Sequence, residues 1–368
     1  MNVDKAGPAE KPHVLVTGAA GFIGGYVVEE FIQNNWAVSA LIHKKISQKL
    51  EHWIQEQKIA VIKGDAADKA SLQEALEEAD RRWNRVPDVI VHCAGRATDV
   101  GWRKEFRLAN FDAVRFLGEL VQEKEIKRMV FVSTTDVYGL RDFHHEQEEK
   151  LPFNNNIGNS YPEYKILAEQ WLTENLLPRQ YAIVRPASVW GLGDTTMTAR
   201  VVDLLRVSPW IIHFGPWKGK NRWPMAHVRN VAAGIFLAAT IPEAAGRAMH
   251  ILDSEFTSSD DFYGLMAEIH SPGKRHTRLF LPLWMGRIFG GVVSTLSNLF
   301  NLSHPITDPS LYALHVVSTN LDFDNQRFIR MMKEAGRVIW TRADGIAELK
   351  HEKQGNIDAN SLSMKRWP

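Results

Sequence analysis

Apolar residues along this chain fall into two alternating patterns. Near-continuous apolar runs occur at "HVLVTG" (His13 to Gly18), "AVSALIH", "AVIKGDA", "DVIVHCAG", "RMVFVST" and "YAIVRPASVW". Between them apolar positions recur at helical spacing, as in "GFIGGYVVEEFIQNN", Ser71 to Trp83 and Phe106 to Lys124. A run that is apolar at nearly every position suits a strand buried on both faces. Such strands separated by helices form a parallel sheet with right-handed crossovers. The pattern predicts an α/β fold with a doubly wound parallel sheet over residues 13–190. Sheets of this kind bind ligands beyond the carboxyl ends of their strands, so candidate chemistry is sought there.

The alternation fades after about Gly191, where segments rich in Trp, Pro and Gly such as "SPWIIHFGPWKGKNRWP" begin. Residues 191–350 are read as a smaller, mixed region, interleaved with the core, that closes over the strand ends and shapes a substrate pocket. Residues 1–12 form a polar lead-in without the apolar core of a secretory signal, and 351–368 a polar, aperiodic tail. The most apolar stretch, Arg278 to Leu302, follows a basic cluster of Lys274, Arg275, His276 and Arg278. Its first reading is a lining or lid for a lipid-like substrate. Its second, supported by Trp284 beside the basic flank, is a helix lying on a membrane surface. Pro282, Arg287, the Gly290 and Gly291 pair and the polar Ser294, Thr295, Ser297 and Asn298 count against a span.

Composition narrows the partners. At 368 residues the chain suits one large or two coupled domains. A net charge of +1 offers no overall field for nucleic acid, which is not expected as a partner. The single cysteine, Cys93, excludes an intramolecular disulfide and a thiolate metal cluster; no metal is expected, and cytoplasm is the expected location, with a membrane surface as the alternative contact.

"TGAAGFIG" places Gly18, Gly21 and Gly24 directly after the first strand, with Phe22 and Ile23 opening the first helix. Such glycines supply a tight turn, close approach of a pyrophosphate and close helix-to-sheet packing, which is the phosphate end of a Rossmann-type dinucleotide site. The second strand ends in Ile42, His43, Lys44 and Lys45, and no carboxylate follows Trp36 until Glu51. An acidic residue there would take the ribose hydroxyls of NAD(H); cations suit a 2′-phosphate, so NADP(H) is favoured and NAD(H) remains open. Asp65, followed by Ala66, is placed to accept from an adenine amine or to cap the next helix. "HCAG" ends the fourth strand with Ala94 and Gly95, small enough for backbone to pass a ribose, and Cys93 there reads as a buried small side chain.

"NSYPEYKILAEQW" sets Tyr161 and Lys165 one helical turn apart on the same face. A nearby ammonium favours the phenolate, which would let Tyr161 exchange a proton with a substrate oxygen. "FVSTTDVYG" offers Ser133, Thr134 and Thr135 as a second donor. Taken in order, "TGAAGFIG", "HCAG", "FVSTTDVYG", "YPEYK" and "RPASVWG" resemble an extended short-chain dehydrogenase/reductase over roughly Val14 to Asp253. The resemblance implies Thr134 as the catalytic hydroxyl, where the family usually has serine, and Asn110 as the asparagine supporting a proton path from the lysine. It also implies that Pro186, Ser188 and Val189 border the nicotinamide. The resemblance also allows a homodimer.

Within the family, "STTDV", "RPASVWGLGD", "AHVRNVAAGIFLA" and "HILDSEFTSSDDF" are similar to the 3β-hydroxysteroid dehydrogenase-like branch, including sterol-4-carboxylate 3-dehydrogenases and reductases of long-chain 2-alkyl-3-keto acids. The resemblance implies a hydrophobic small-molecule substrate whose hydroxyl and ketone are interconverted. Sugar-nucleotide epimerases and dehydratases share the core and are the alternative. Many of them place an arginine just before the "HV" element, whereas here Arg222 precedes His227 by five residues with apolar "WPMA" between. His227 itself reads as a packed structural residue.

Overall fold

The computed structural model describes residues 11–147 and 150–352. The six apolar runs give strands β1 (His13–Thr17), β2 (Ala37–Ile42), β3 (Ile59–Lys63), β4 (Val89–His92), β5 (Arg128–Val132) and β6 (Tyr181–Pro186). Five further strands follow: β7 (Ser188–Trp190), β8 (Trp210–Phe214), β9 (Met225–His227), β10 (Ala248–Ile251) and β11 (Thr277–Leu281). The main sheet has seven strands in the order β10-β6-β5-β4-β1-β2-β3, and every pair in it is parallel. The chain builds outward from β1 to β3, then crosses back to lay β4 on the other side of β1. A crevice opens between the ends of β1 and β4, as at the switch point of a Rossmann-type sheet.

The run "HVLVT" shows why every position is apolar. Val14 and Val16 point into a core shared with the helices Phe22–Gln33 and Val228–Thr240, while Leu15 points into the opposite core with Lys69–Trp83 and Ala113–Glu123. Successive strand side chains alternate faces, and both faces are covered.

Three sequence expectations are corrected. "YAIVRPASVW" is two strands: β6 ends at Pro186, and β7 leaves the main sheet to pair with β9. Regular alternation continues past Gly191, since the helix Val228–Thr240 packs on β5 and β6 and leads to β10, which pairs with β6. The first two residues of the expected tail, His351 and Glu352, are helical, in a helix running from 342; the rest of the expected tail and most of the lead-in lie outside the described residues.

The second region places the pairs β7-β9 and β8-β11 and the helices Met197–Val207, Leu283–Leu299 and Leu311–Ser318 over the strand ends. The helix Leu283–Leu299 turns its small residues inward: Gly286, Gly290, Val293 and Ser297 are buried. A Cβ on Gly290 would lie 3.0 Å from the Leu311 amide, so the glycine allows the helix Leu311–Ser318 to approach closely. The large apolar residues Trp284, Ile288, Val292 and Leu299 face outward. No helix among the described residues is long and apolar enough to cross a membrane. The preceding basic cluster is mostly engaged within the fold. Lys274 donates to the carbonyls of Leu205 and Arg206, a His276 ring nitrogen lies 2.9 Å from Leu205 O, and Arg278 pairs with Asp260. Lys274 and His276 thus close the carboxyl end of the helix Met197–Val207.

Candidate active site

The loop after β1 turns with Gly18 at φ +66°, and a Cβ there would meet Ala94 N at 2.7 Å. A Cβ on Gly24 would lie 2.1 Å from Gly18 O, so the helix Phe22–Gln33 packs against the loop only because both positions lack a side chain. Gly21 caps that helix without any side-chain hydrogen bond. The first-turn amides are therefore left for an anion, with the helix dipole favouring it. These features fit the pyrophosphate of a dinucleotide.

The carboxyl ends of β4 and β5 carry the chemical end. Thr134 opens a short turn, its hydroxyl accepting from Asp136 N at 3.2 Å. Across from it the helix Ser160–Asn175 begins, capped by Asn159, which accepts from Tyr161 N at 2.8 Å and donates to Asp99 O at 3.0 Å. The Tyr161 phenol lies beside the Thr134 side chain, and both line one cavity. Lys165 is buried one turn on, donating to Val132 O at 2.7 Å with its ammonium 4.6 Å from the Phe131 ring.

The protein groups around the phenol act on it from several sides. Burial pushes the Tyr161 phenol well above its ordinary value and the neighbouring Asp136 pushes it further, with only the nearby Thr134 hydroxyl opposing them. Burial also pulls Lys165 down to about 8, against the partial support of Cys93 and Glu169.

Asn110 is fully buried in a π-helical turn, accepting from Arg96 N at 2.8 Å and donating to Arg96 O at 3.1 Å. Its side chain clamps the loop after β4. A Cβ on Gly95 would meet Asn110 Oδ1 at 2.7 Å and come within 3.6 Å of Lys165 Nζ, which explains the glycine. Cys93 lies in the cavity wall with its thiol pushed up to about 12 by burial, consistent with an inert side chain.

One cavity of about 730 Å³ joins these parts. Gly18, Gly21, Phe22, Ile23 and Gly24 line one end; Gly95, Thr134, Tyr161, Pro186, Ser188 and Val189 line its middle. The far wall is apolar, with Leu204, Trp210, Phe214, Met285 and Phe289 among its residues. Ala94 sits against Gly18 beside the cavity. His43, Lys44 and Lys45 are exposed beyond β2. Asp65, beyond β3, accepts from Ala67 N at 2.9 Å and lies 3.4 Å from His43, with Ala66 half-buried beside it. The helix cap expected of Asp65 is supplied by Asp68, which accepts from Ser71 N at 2.8 Å.

Several functional neighbours escaped the sequence reading. Asp136 and Tyr312 line the cavity and hydrogen-bond to one another, and the Asp99, Arg200, Asp308 cluster lines it further out. A buried chain from Ser133 through Glu169 and Arg185 to Tyr138 and His250 braces the ends of β5, β6 and β10. His227 stacks on Trp340 with ring centroids 5.2 Å apart and meets Trp190 edge-on, a packed residue as expected.

A family model described as "NAD dependent epimerase/dehydratase family" matches residues 14–251, more than half of the chain. The chain belongs to the NAD dependent epimerase/dehydratase family. Among relatives of this family member, a "Sterol-4-alpha-carboxylate 3-dehydrogenase, decarboxylating" of Dictyostelium discoideum is 25% identical over 301 residues, covering 79% of this chain and 86% of that protein. A "3 beta-hydroxysteroid dehydrogenase/Delta 5-->4-isomerase" of Mycobacterium tuberculosis (strain CDC 1551 / Oshkosh) is 25% identical over 253 residues, covering 67% of this chain and 66% of that protein. The crystal structure of a dTDP-glucose 4,6-dehydratase from Bacillus anthracis str. Ames in complex with NAD superposes with a TM-score of 0.69 at 16% identity, covering 94% of this chain and 98% of that one. That likeness shows a shared fold.

Proposed function

We propose that this member of the epimerase/dehydratase family is an oxidoreductase that interconverts a hydroxyl and a ketone on a hydrophobic substrate, preferring NADP(H). The observation that carries the reading is the continuity of one cavity from the glycine loop, past Thr134 and Tyr161, to the apolar wall of Leu204, Phe214, Met285 and Phe289. A nicotinamide cofactor bound along the glycine loop supplies hydride transfer. Thr134 and Tyr161 hold the substrate oxygen, and Tyr161 gives it a proton in the reducing direction or takes one in the oxidising direction. Lys165, held by Val132 O at 2.7 Å, binds the nicotinamide ribose. Exposed Lys44 and Lys45, with no carboxylate on β2, support a 2′-phosphate.

The names of the steroid-active relatives support the substrate class. Against the sugar-nucleotide alternative, Arg222 is held by Asp322 at 3.1 Å and lies outside the cavity lining. The outward apolar stripe on the helix Leu283–Leu299 adjoins Met285 and Phe289 on the cavity wall, and we propose that it rests on a lipid surface from which substrate enters.

The test is binding of NADPH and NADH to the purified protein, followed by cofactor oxidation with steroid ketones, long-chain keto esters and sugar nucleotides. Tighter NADPH binding and stoichiometric oxidation with a lipid ketone are expected. Retained NAD with turnover of a sugar nucleotide alone would overturn the reading.

A further inference from the structure

A carboxylate or phosphate taken from water into a cavity needs a cation or several unengaged N–H donors. The described residues lining this cavity include one arginine, Arg200, and one histidine, His304, which is exposed. Arg200 is already committed. Its Nη1 and Nη2 donate to the two Asp99 oxygens at 3.1 and 3.3 Å, its Nε donates to Asp308 Oδ2 at 3.1 Å, and its Nη2 also donates to Asp308 Oδ1. Asp99 is buried and takes a further bond from the Ser310 hydroxyl. One guanidinium thus answers two carboxylates.

The same sign prevails nearer the reacting carbon. Asp136 lines the cavity beside the Tyr161 phenol and accepts from the Tyr312 hydroxyl, and Tyr312 in turn lies within the electrostatic reach of Asp99 and Tyr161. The nearby cations are turned elsewhere: Lys165 to Val132 O, and Arg96 to Glu105 at 2.8 Å and the Leu302 carbonyl. Burial raises the Asp136 carboxyl pKa; whether protonated or ionised, it offers an anionic group no cation.

We propose that the substrate is uncharged around its reacting carbon, a neutral lipid ketone or alcohol, and that Asp99, Asp136 and Asp308 exclude substrate carboxylates and phosphates from the part of the cavity beyond the glycine loop. The inference rests on the hydrophobic-substrate reading and narrows it. It sets this chain apart from the Dictyostelium relative, whose name specifies a sterol 4-carboxylate. It also removes the long-chain keto acids, while keeping their esters, from the substrates that the resemblance implies. The physical basis is rejection through like charge and unpaired buried groups.

The experiment compares matched pairs in the oxidising direction by cofactor reduction: a long-chain 3-hydroxy acid against its methyl ester, and a 3-hydroxysteroid with and without a carboxylate on the adjacent carbon. The neutral member is expected to have a kcat/KM about 100-fold higher or more, the scale on which sites reject a group they cannot pair. Quenching of tryptophan fluorescence, for which Trp210 and Trp223 line the cavity, reads binding of each pair without turnover and should show the same order. Asp308→Asn, which releases half of Arg200's engagement, should narrow the ratio by about tenfold, the scale on which one charge pair discriminates. Equal or better binding and turnover of the acids would overturn the inference and leave the oxidoreductase reading standing. Turnover of a sugar nucleotide, itself an anion, with neither alcohol accepted would overturn both.

Discussion

Tyr161 and Lys165 were legible in the sequence because a spacing of four on a helix fixes a common face without reference to the rest of the chain. The phenol's environment was not. Asp136, which together with burial pushes the phenol up, is bonded to Tyr312, 176 positions away in the chain. No local pattern could have announced that neighbour. Asp65 and Asp68 illustrate the converse, since which of two carboxylates three positions apart caps the helix is decided only by helix geometry. At this scale Tyr161→Phe is expected to lower turnover by about 10²–10⁴-fold, the range ascribed to a positioned proton donor. NADPH affinity should stay near that of the unmodified protein, measured by fluorescence titration, because the cradle lies at Gly18 to Gly24. Wild-type turnover in that variant would remove Tyr161 from the chemistry.

Among elements, the strands were the most readable, since a two-faced core demands apolar residues at every position. The helix Leu283–Leu299 was readable as apolar but not in its orientation. Gly286, Gly290 and Ser297 turn inward, with Gly290 where the helix Leu311–Ser318 comes too close for a side chain, and its large residues are left outside. The basic flank that favoured a membrane role in the sequence is largely engaged in closing the helix Met197–Val207 and pairing with Asp260, so the stripe itself must carry any adhesion. Replacing Ile288 and Val292 together by Asp should reduce cosedimentation with phosphatidylcholine vesicles by about tenfold or more, given roughly 0.8 kcal/mol per CH₂ buried in lipid. Unchanged cosedimentation, or none in the unmodified protein, would assign the stripe to another partner.

The whole molecule stores a pH dependence in its buried histidines. Burial pulls His13 and His250 from 6.5 down to about 4, and His92 to about 3. Each is neutral in the folded protein across a range where an unfolded histidine takes up a proton. The stabilisation is therefore complete above about pH 6.5 and is lost as pH falls toward 4, on the order of 3 kcal/mol for each histidine. Asp136 and Asp253, raised by burial, oppose this trend but are themselves held down by hydrogen bonds. Urea midpoints are accordingly expected to fall between pH 7 and pH 5. A midpoint that holds or rises over that range would show that these histidines are not buried in neutral form.

By itself the sequence determined the parallel sheet, the glycine loop, and the tyrosine and lysine beside it. Each is written in neighbours or in a short period, and local sterics and burial of both sheet faces leave little choice. Only the tertiary structure decided that β10 returns to the sheet, that Asp136 and Tyr312 crowd the phenol, and that Arg200 is already spent on Asp99 and Asp308. Those facts depend on residues from distant segments meeting at one edge of the sheet. Electrostatics there follows distance in space, which composition and spacing do not encode.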